Sequence, residues 1–149
     1  MPVPPPHQPA DLARLLTRAE RLVSRRMLPI LAAEDVTTEG WRVISLLADG
    51  AGHPMTDLSE QAFLPPATLT KLIDRLVDDN VVYRRVDDVD RRRIRAHLTP
   101  RGRRLHNRIS DRLEADLSTL PLSDTDRSLL EQLLAGLTGA LDATTMASA

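Results

Sequence analysis

A mainly helical fold carrying one small β-hairpin is what this sequence predicts, and three observations carry the prediction. Apolar residues recur at three- and four-residue spacing along most of the chain, the mark of helices with one buried stripe. That period breaks once. "VVYRRV" (81–86) is β-branched and aromatic, and "IRAHL" (94–98) alternates apolar and polar, so the two read as antiparallel strands. Finally, 149 residues make about one domain, long enough to hide roughly two-thirds of the unfolded surface.

The elements follow in order. Residues 1–10 read as an extended or disordered arm, because five prolines fall within the first nine positions. Residues 11–36 read as a first helix with its stripe at Leu12, Leu15, Leu16, Ala19, Leu22, Val23, Met27, Ile30 and Leu31. Pro29 is expected to kink or end it. Thr37 or Thr38 caps a second helix carrying Trp41, Ile44, Leu47 and Ala48, and Gly50 and Gly52 stop it. A short helix over "MTDLSEQAFL" has Thr56 or Asp57 as its cap, and a longer one opens at Pro66, a residue suited to a first turn. Leu69, Leu72, Ile73, Leu76 and Val77 form the inward stripe of that longer helix. After the hairpin, Thr99 caps a long helix with Pro100 in its first turn and Leu105, Ile109, Leu113 and Leu117 inward. Ser123, with Asp126 three residues on, caps a last helix bearing six leucines between 129 and 141.

A helix, a turn, a second helix and then a two-stranded hairpin form a winged helix-turn-helix, which sets its second helix in the DNA major groove. The outward residues of that helix are Pro66, Ala67, Thr68, Thr70, Lys71, Asp74 and Arg75. The small and hydroxyl side chains allow close approach to base edges, and Lys71 and Arg75 reach phosphates or guanine. The hairpin tip "VDDVDRRRIR" crowds three aspartates against four arginines. Arginines at such a tip, Arg91 and Arg92 here, suit the negative minor groove. A carboxylate two residues earlier, Asp90, can hold the guanidinium in a fork before DNA arrives. Charge distribution agrees. The chain holds 20 basic and 21 acidic residues, yet residues 66–104 carry a net +5 and the remainder −6, an asymmetry typical of a polyanion-binding face on a neutral protein.

"LTKLIDRLVDDNVVYRRVDDVDRRRIRAHLTPRG" resembles the core signature of the multiple-antibiotic-resistance regulator (MarR) family of bacterial transcription factors. The matching parts are Asp74-Arg75-Leu76, Arg84-Arg85, Asp90-Arg91-Arg92 and Leu98-Thr99-Pro100-Arg101-Gly102, and the likeness covers roughly residues 11–143. One departure is Pro65-Pro66, where many members carry a polar cap. The resemblance implies a homodimer whose first and last helices intertwine, with two winged domains reading a palindrome. It implies that Arg92 enters the minor groove oriented by Asp90, and that Asp74 pairs with a wing arginine. It divides the chain into a dimerisation helix (11–36), a DNA-binding domain (37–99) and C-terminal dimerisation helices (100–149). It also implies a repressor that is released by a small-molecule effector bound between winged domain and dimer helices. That crevice would draw on Met27, Ile30, Trp41, Ile44 and His106, although a Met or Trp at helical spacing more often fills plain core.

Other classes find little support. No cysteine is present, which excludes disulfides, thiolate metal sites and cysteine redox switches. The four histidines are scattered, so no metal or other cofactor is expected. Three aromatic residues in all speak against an RNA or single-strand platform. No apolar run reaches membrane-spanning length, and the start lacks a signal-peptide pattern, so a cytoplasmic protein without a membrane partner is expected. Neither a Gly-rich phosphate loop nor a Ser/His/Asp set suggests an enzyme. The rival reading is a winged-helix protein-interaction module that does not bind DNA.

Overall fold

The computed structural model describes residues 9–147, which divide into two compact units between Glu114 and Ala115. The elements are α1 (Pro9–Ala33), α2 (Thr38–Leu47), β1 (His53–Pro54), α3 (Met55–Gln61), α4 (Pro66–Asp78), β2 (Val82–Val86), β3 (Ile94–Leu98), α5 (Pro100–Leu117) and α6 (Asp124–Ala147). The second unit holds the end of α5 and all of α6. Among the described residues no helix is long and apolar enough to cross a membrane.

The core of the first unit is aliphatic. Val43, Ile44 and Leu47 of α2 join Leu58 of α3, Leu69, Ile73 and Leu76 of α4, Val82, Ala96 and Leu98 of the sheet, and Leu105 and Ile109 of α5. The inward stripe of α4 is narrower than its sequence suggests: Leu72 and Val77 are half-buried. The sheet has the order β1-β3-β2, antiparallel throughout. The wing strands pair in unbroken register from Val82↔Leu98 to Val86↔Ile94, leaving residues 87–93 as the tip. β1 is a third strand that the sequence does not announce, since two residues are too short to show a period. It pairs His53 with Ala96 and Pro54 with Arg95.

Several local expectations need correction. Pro9 and Ala10 are helical and not part of an arm. A proline in a first turn loses only an N–H that has no intrahelical partner there. The rest of the expected arm, residues 1–8, lies outside the described residues. Pro29 does not end α1, which runs on to Ala33. The proline costs about 3 kcal/mol in a helix interior, but the turn beyond it seats Leu31 in the core at 1 % exposure. Burying one leucine returns about 1.5–3 kcal/mol, and the half-buried Ile30 adds to it. Thr56 and Asp57 do not cap α3; they sit inside its first turn, behind Pro54.

The other caps fall where the sequence places them. Thr37 accepts the N–H of Gly40 at 3.0 Å, and Thr99 accepts that of Gly102 at 2.9 Å. Ser123 accepts the N–H of Asp126 at 3.1 Å and donates its hydroxyl to the Asp126 carboxylate at 2.7 Å.

Candidate DNA interface

α4 turns Leu69, Ile73 and Leu76 inward, and this leaves Pro66, Ala67, Thr68, Thr70, Lys71, Asp74 and Arg75 exposed on one side. The two threonines are not equivalent. Thr70 donates its hydroxyl to the Pro66 carbonyl one turn back, at 2.9 Å. Only its oxygen lone pairs and methyl stay available, whereas the Thr68 hydroxyl has no hydrogen-bond partner among the described residues. Arg75 lies 4.0 Å from both Asp35 and Asp79. Exposed pairs at that separation hold little energy, so this guanidinium is free to turn to a phosphate.

The wing resolves the crowding of opposite charges. Asp87 is 5 % exposed and accepts the N–H groups of Val89 at 2.8 Å and Asp90 at 3.0 Å. Its other oxygen accepts Nε of Arg95, whose Nη1 donates to the Gly52 carbonyl at 3.0 Å. Asp88 takes Arg85 through both carboxylate oxygens at 3.2 Å. Asp90 accepts the backbone N–H of Arg92 at 3.1 Å. The expected fork between Asp90 and a guanidinium is therefore corrected: the carboxylate shapes the turn through the main chain. Two aspartates build the tip and one holds Arg85. Arg91, Arg92 and Arg93 are left exposed with no carboxylate partner among the described residues. Asp74 on α4 meets Arg84 on β2, tying helix to wing.

The base of the wing is equally close-fitted. His97 stacks on Tyr83 with ring centroids 5.1 Å apart. Gly52 lies against the other residues of this corner at φ 71°, and a Cβ there would fall 2.1 Å from the His97 ring. Burial, and then the nearby Arg85 and Arg95, push the His97 pKa down.

The sequence pattern described as the MarR family matches residues 34–93. The transcriptional regulator FarR of Neisseria gonorrhoeae is 30 % identical over 130 residues, covering 86 % of this chain and 89 % of FarR. The chain belongs to the MarR family. It is a DNA-binding transcriptional regulator of that family. The homoprotocatechuate degradative operon repressor of Escherichia coli is 27 % identical over 104 residues, covering 70 % of each protein. The crystal structure of NadR in complex with 4-hydroxyphenylacetate shares 29 % identity at a TM-score of 0.76, covering 92 % of this chain and 97 % of that one.

Within this MarR-family chain the five effector candidates separate. Trp41 and His106 stack with centroids 5.3 Å apart and planes 14° apart. Met27 and Ile30 are half-buried against the core. Ile44 is 0 % exposed, so it is corrected from crevice wall to core. A groove of about 340 Å³ lies elsewhere, among Glu34, Val36, Leu72, Arg75, Arg101 and Arg108, and none of the five lines it.

Sequence reasoning missed Asp87 and Arg95, whereas the wing arginine expected to pair with Asp74 is Arg84. Asp87 did carry a signal, since an aspartate opening a tip suits a side chain that bonds the backbone two residues on. The N–H of Asp90 first, then the Arg95 guanidinium and the N–H of Val89, hold its carboxyl well below the usual carboxylate range. A depressed folded-state pKa stabilises the wing above the ordinary carboxylate pKa. The contribution is lost progressively as pH falls from the ordinary carboxylate pKa through the lowered value. Asp87→Ala is expected to leave two N–H groups and Arg95 without their acceptor. Amide exchange at Val89 and Asp90 should quicken and DNA affinity fall roughly tenfold. Unchanged protection of those two amides would refute this role.

Proposed function

We propose that this chain represses transcription by binding a pseudo-palindromic double-stranded site as a homodimer, and that a small-molecule effector releases it. One observation carries the reading: Arg91, Arg92 and Arg93 stand clear of carboxylates on a hairpin that Asp74 and Arg84 tie to the exposed face of α4. Pro66, Ala67, Thr68, Thr70, Lys71 and Arg75 meet the major groove. Arg91 and Arg92 reach the minor groove, Asp74 fixes the wing to the helix, and Asp90 shapes the turn that presents Arg92. Residues 37–99 serve as the DNA-binding domain, and residues 11–36 and 100–149 as the dimerisation helices. The chain works in the cytoplasm, where its DNA lies.

A gel shift on genomic fragments, including DNA flanking its own gene, tests the reading. Each phosphate neutralised contributes a slope of about −0.9 in log K against log salt, so affinity for the best site should fall steeply with salt. A slope near zero would sink the proposal. NadR is bound to 4-hydroxyphenylacetate, and the Escherichia coli relative represses a homoprotocatechuate operon by name. Both support a small aromatic acid as effector, seated beside Trp41 and His106 with Met27 and Ile30 nearby. The same gel shift with 4-hydroxyphenylacetate added checks it.

Two substitutions are expected to fail differently. Arg92→Ala removes a shape contact, so binding should weaken most at sites with narrow A/T minor grooves. Thr70→Ala should relax base preference at one position per half-site at a cost below about 1 kcal/mol, because its hydroxyl proton already serves Pro66. Identical selected sequences from both variants and the parent would show that this division is wrong.

A further inference from the structure

The turn between α3 and α4 places a bulky residue at a helix end whose left-handed backbone ordinarily takes glycine or asparagine. Phe63 has φ 55°, in the left-handed region where a bulky side chain crowds its own backbone. Asp35 and Asn80 share that region at 55° and 56°, but short polar side chains tolerate it. Phe63 gains no burial in return. It is 84 % exposed, while its neighbours Ala62 and Leu64 are buried. The surroundings hold the turn firmly. Phe63 donates its N–H to Glu60 at 3.2 Å and Leu64 its N–H to Ser59 at 3.0 Å, and the Ser59 hydroxyl donates to the Leu64 carbonyl at 2.6 Å. The backbone therefore directs this side chain outward, one of only three aromatic residues in the protein. Strain kept in place by its surroundings and spent on an exposed group points to function.

Its position selects the function. α4 begins three residues later, behind Pro65, with no side-chain cap. Phe63, Pro65, Pro66 and Ala67 are all exposed, which makes an apolar edge at the leading end of the recognition helix, the end that meets base edges. The major groove offers such an edge one apolar group, the C5-methyl of thymine.

We propose that Phe63 packs its ring on a thymine methyl at the edge of the recognition-helix footprint and so specifies one A·T pair in each half-site. This rests on the DNA-binding reading above and adds a contact outside the helix face. Uracil supplies the test, since it is thymine without that methyl. Duplexes selected from a random pool by the intact protein are re-measured with each thymine replaced in turn by uracil, against the intact protein and against Phe63→Gly. In each half-site one replacement is expected to weaken the intact protein about fourfold, the value of one buried methyl-sized group. Phe63→Gly is expected to be blind to that replacement and to keep its response at every other position. It is also expected to melt at a higher temperature than the parent, because glycine relieves the left-handed strain, so the lost discrimination is not unfolding. A variant that tells thymine from uracil at every position as the parent does overturns the assignment of Phe63 and leaves the DNA reading standing. An intact protein that selects no sequence from the pool overturns both.

Discussion

Gly102→Ala is expected to destabilise the winged unit by about 3 kcal/mol or more, at the upper end of what an overpacked core costs. In an ordinary helix the same change would stabilise by roughly 1 kcal/mol, because alanine has the higher helix propensity. Geometry reverses the sign. A Cβ on Gly102 would stand 2.1 Å from the Val81 carbonyl oxygen, 3.0 Å from its carbon and 3.3 Å from a Leu98 methyl. The obstacle is backbone, and that backbone is committed. The same carbonyl accepts the N–H of Thr99 at 3.0 Å and faces its hydroxyl at 3.2 Å. Thr99 in turn caps α5 by accepting the N–H of Gly102 at 2.9 Å. Relief therefore requires the entry to β2 and the start of α5 to move apart, which unseats Val82 and Leu105 from the core. The midpoint of thermal unfolding, followed by circular dichroism, is expected to fall by roughly 6–12 °C at 2–4 °C per kcal/mol. A midpoint equal to or above the parent's would show that the two segments separate at little cost.

That site also explains part of the family signature in physical terms. In Leu98-Thr99-Pro100-Arg101-Gly102 the threonine caps, the proline fills a first turn, and the glycine makes room for a crossing carbonyl. The sequence revealed the first two because caps and first turns are local. It did not reveal the third, since nothing near Gly102 in the chain announces Val81.

The same division runs through the molecule. α4 and the hairpin were legible because their apolar periods, 3.6 and 2, are carried by adjacent residues. β1 was not, since two residues have no period, and its strand character comes from pairing with Ala96 and Arg95. At Pro29 a stop is what local backbone cost alone suggests, and α1 runs on because the distant core seats Leu31. Ile44 shows the converse. A stripe shows which residues turn inward, but not which of them line a crevice and which are covered completely. At the wing, the sequence showed that charges of both signs belong together. Which carboxylate does what depended on Arg95 and the carbonyl of Gly52, a residue 43 positions away from that arginine, and so Asp87 was overlooked in favour of Asp90.

Deleting residues 122–149 is expected to abolish specific DNA binding, although every residue of α4 and the wing stays in place. The deletion removes α6, whose Leu129, Leu130, Leu133, Leu134 and Leu141 are all exposed in the single chain. α1 likewise leaves Leu12, Leu15, Leu22, Val23 and Leu28 exposed. Scattered exposed leucines are ordinary on a protein surface, but repeats at helical spacing on each of two helices form continuous apolar stripes, and exposed apolar patches of that kind mark interaction sites. Burial across a two-fold axis removes both at once, and closed twofold dimers are the commonest oligomers. Such an axis also sets two recognition helices about 34–36 Å apart, one turn of DNA, and so ties affinity to a symmetric site. One winged unit alone keeps the arginines of the wing but reads only half of that site. Losing the second half forfeits the gain from linking two binding events, which is commonly about 10²–10⁴ in affinity. Sedimentation of the intact protein at micromolar concentration tests the dimer directly: a species of 16.5 kDa would refute it. For the truncated protein, footprinting decides. A shortened chain that still protected both half-sites with the parent's affinity would show that α6 has no part in pairing the two DNA-binding units.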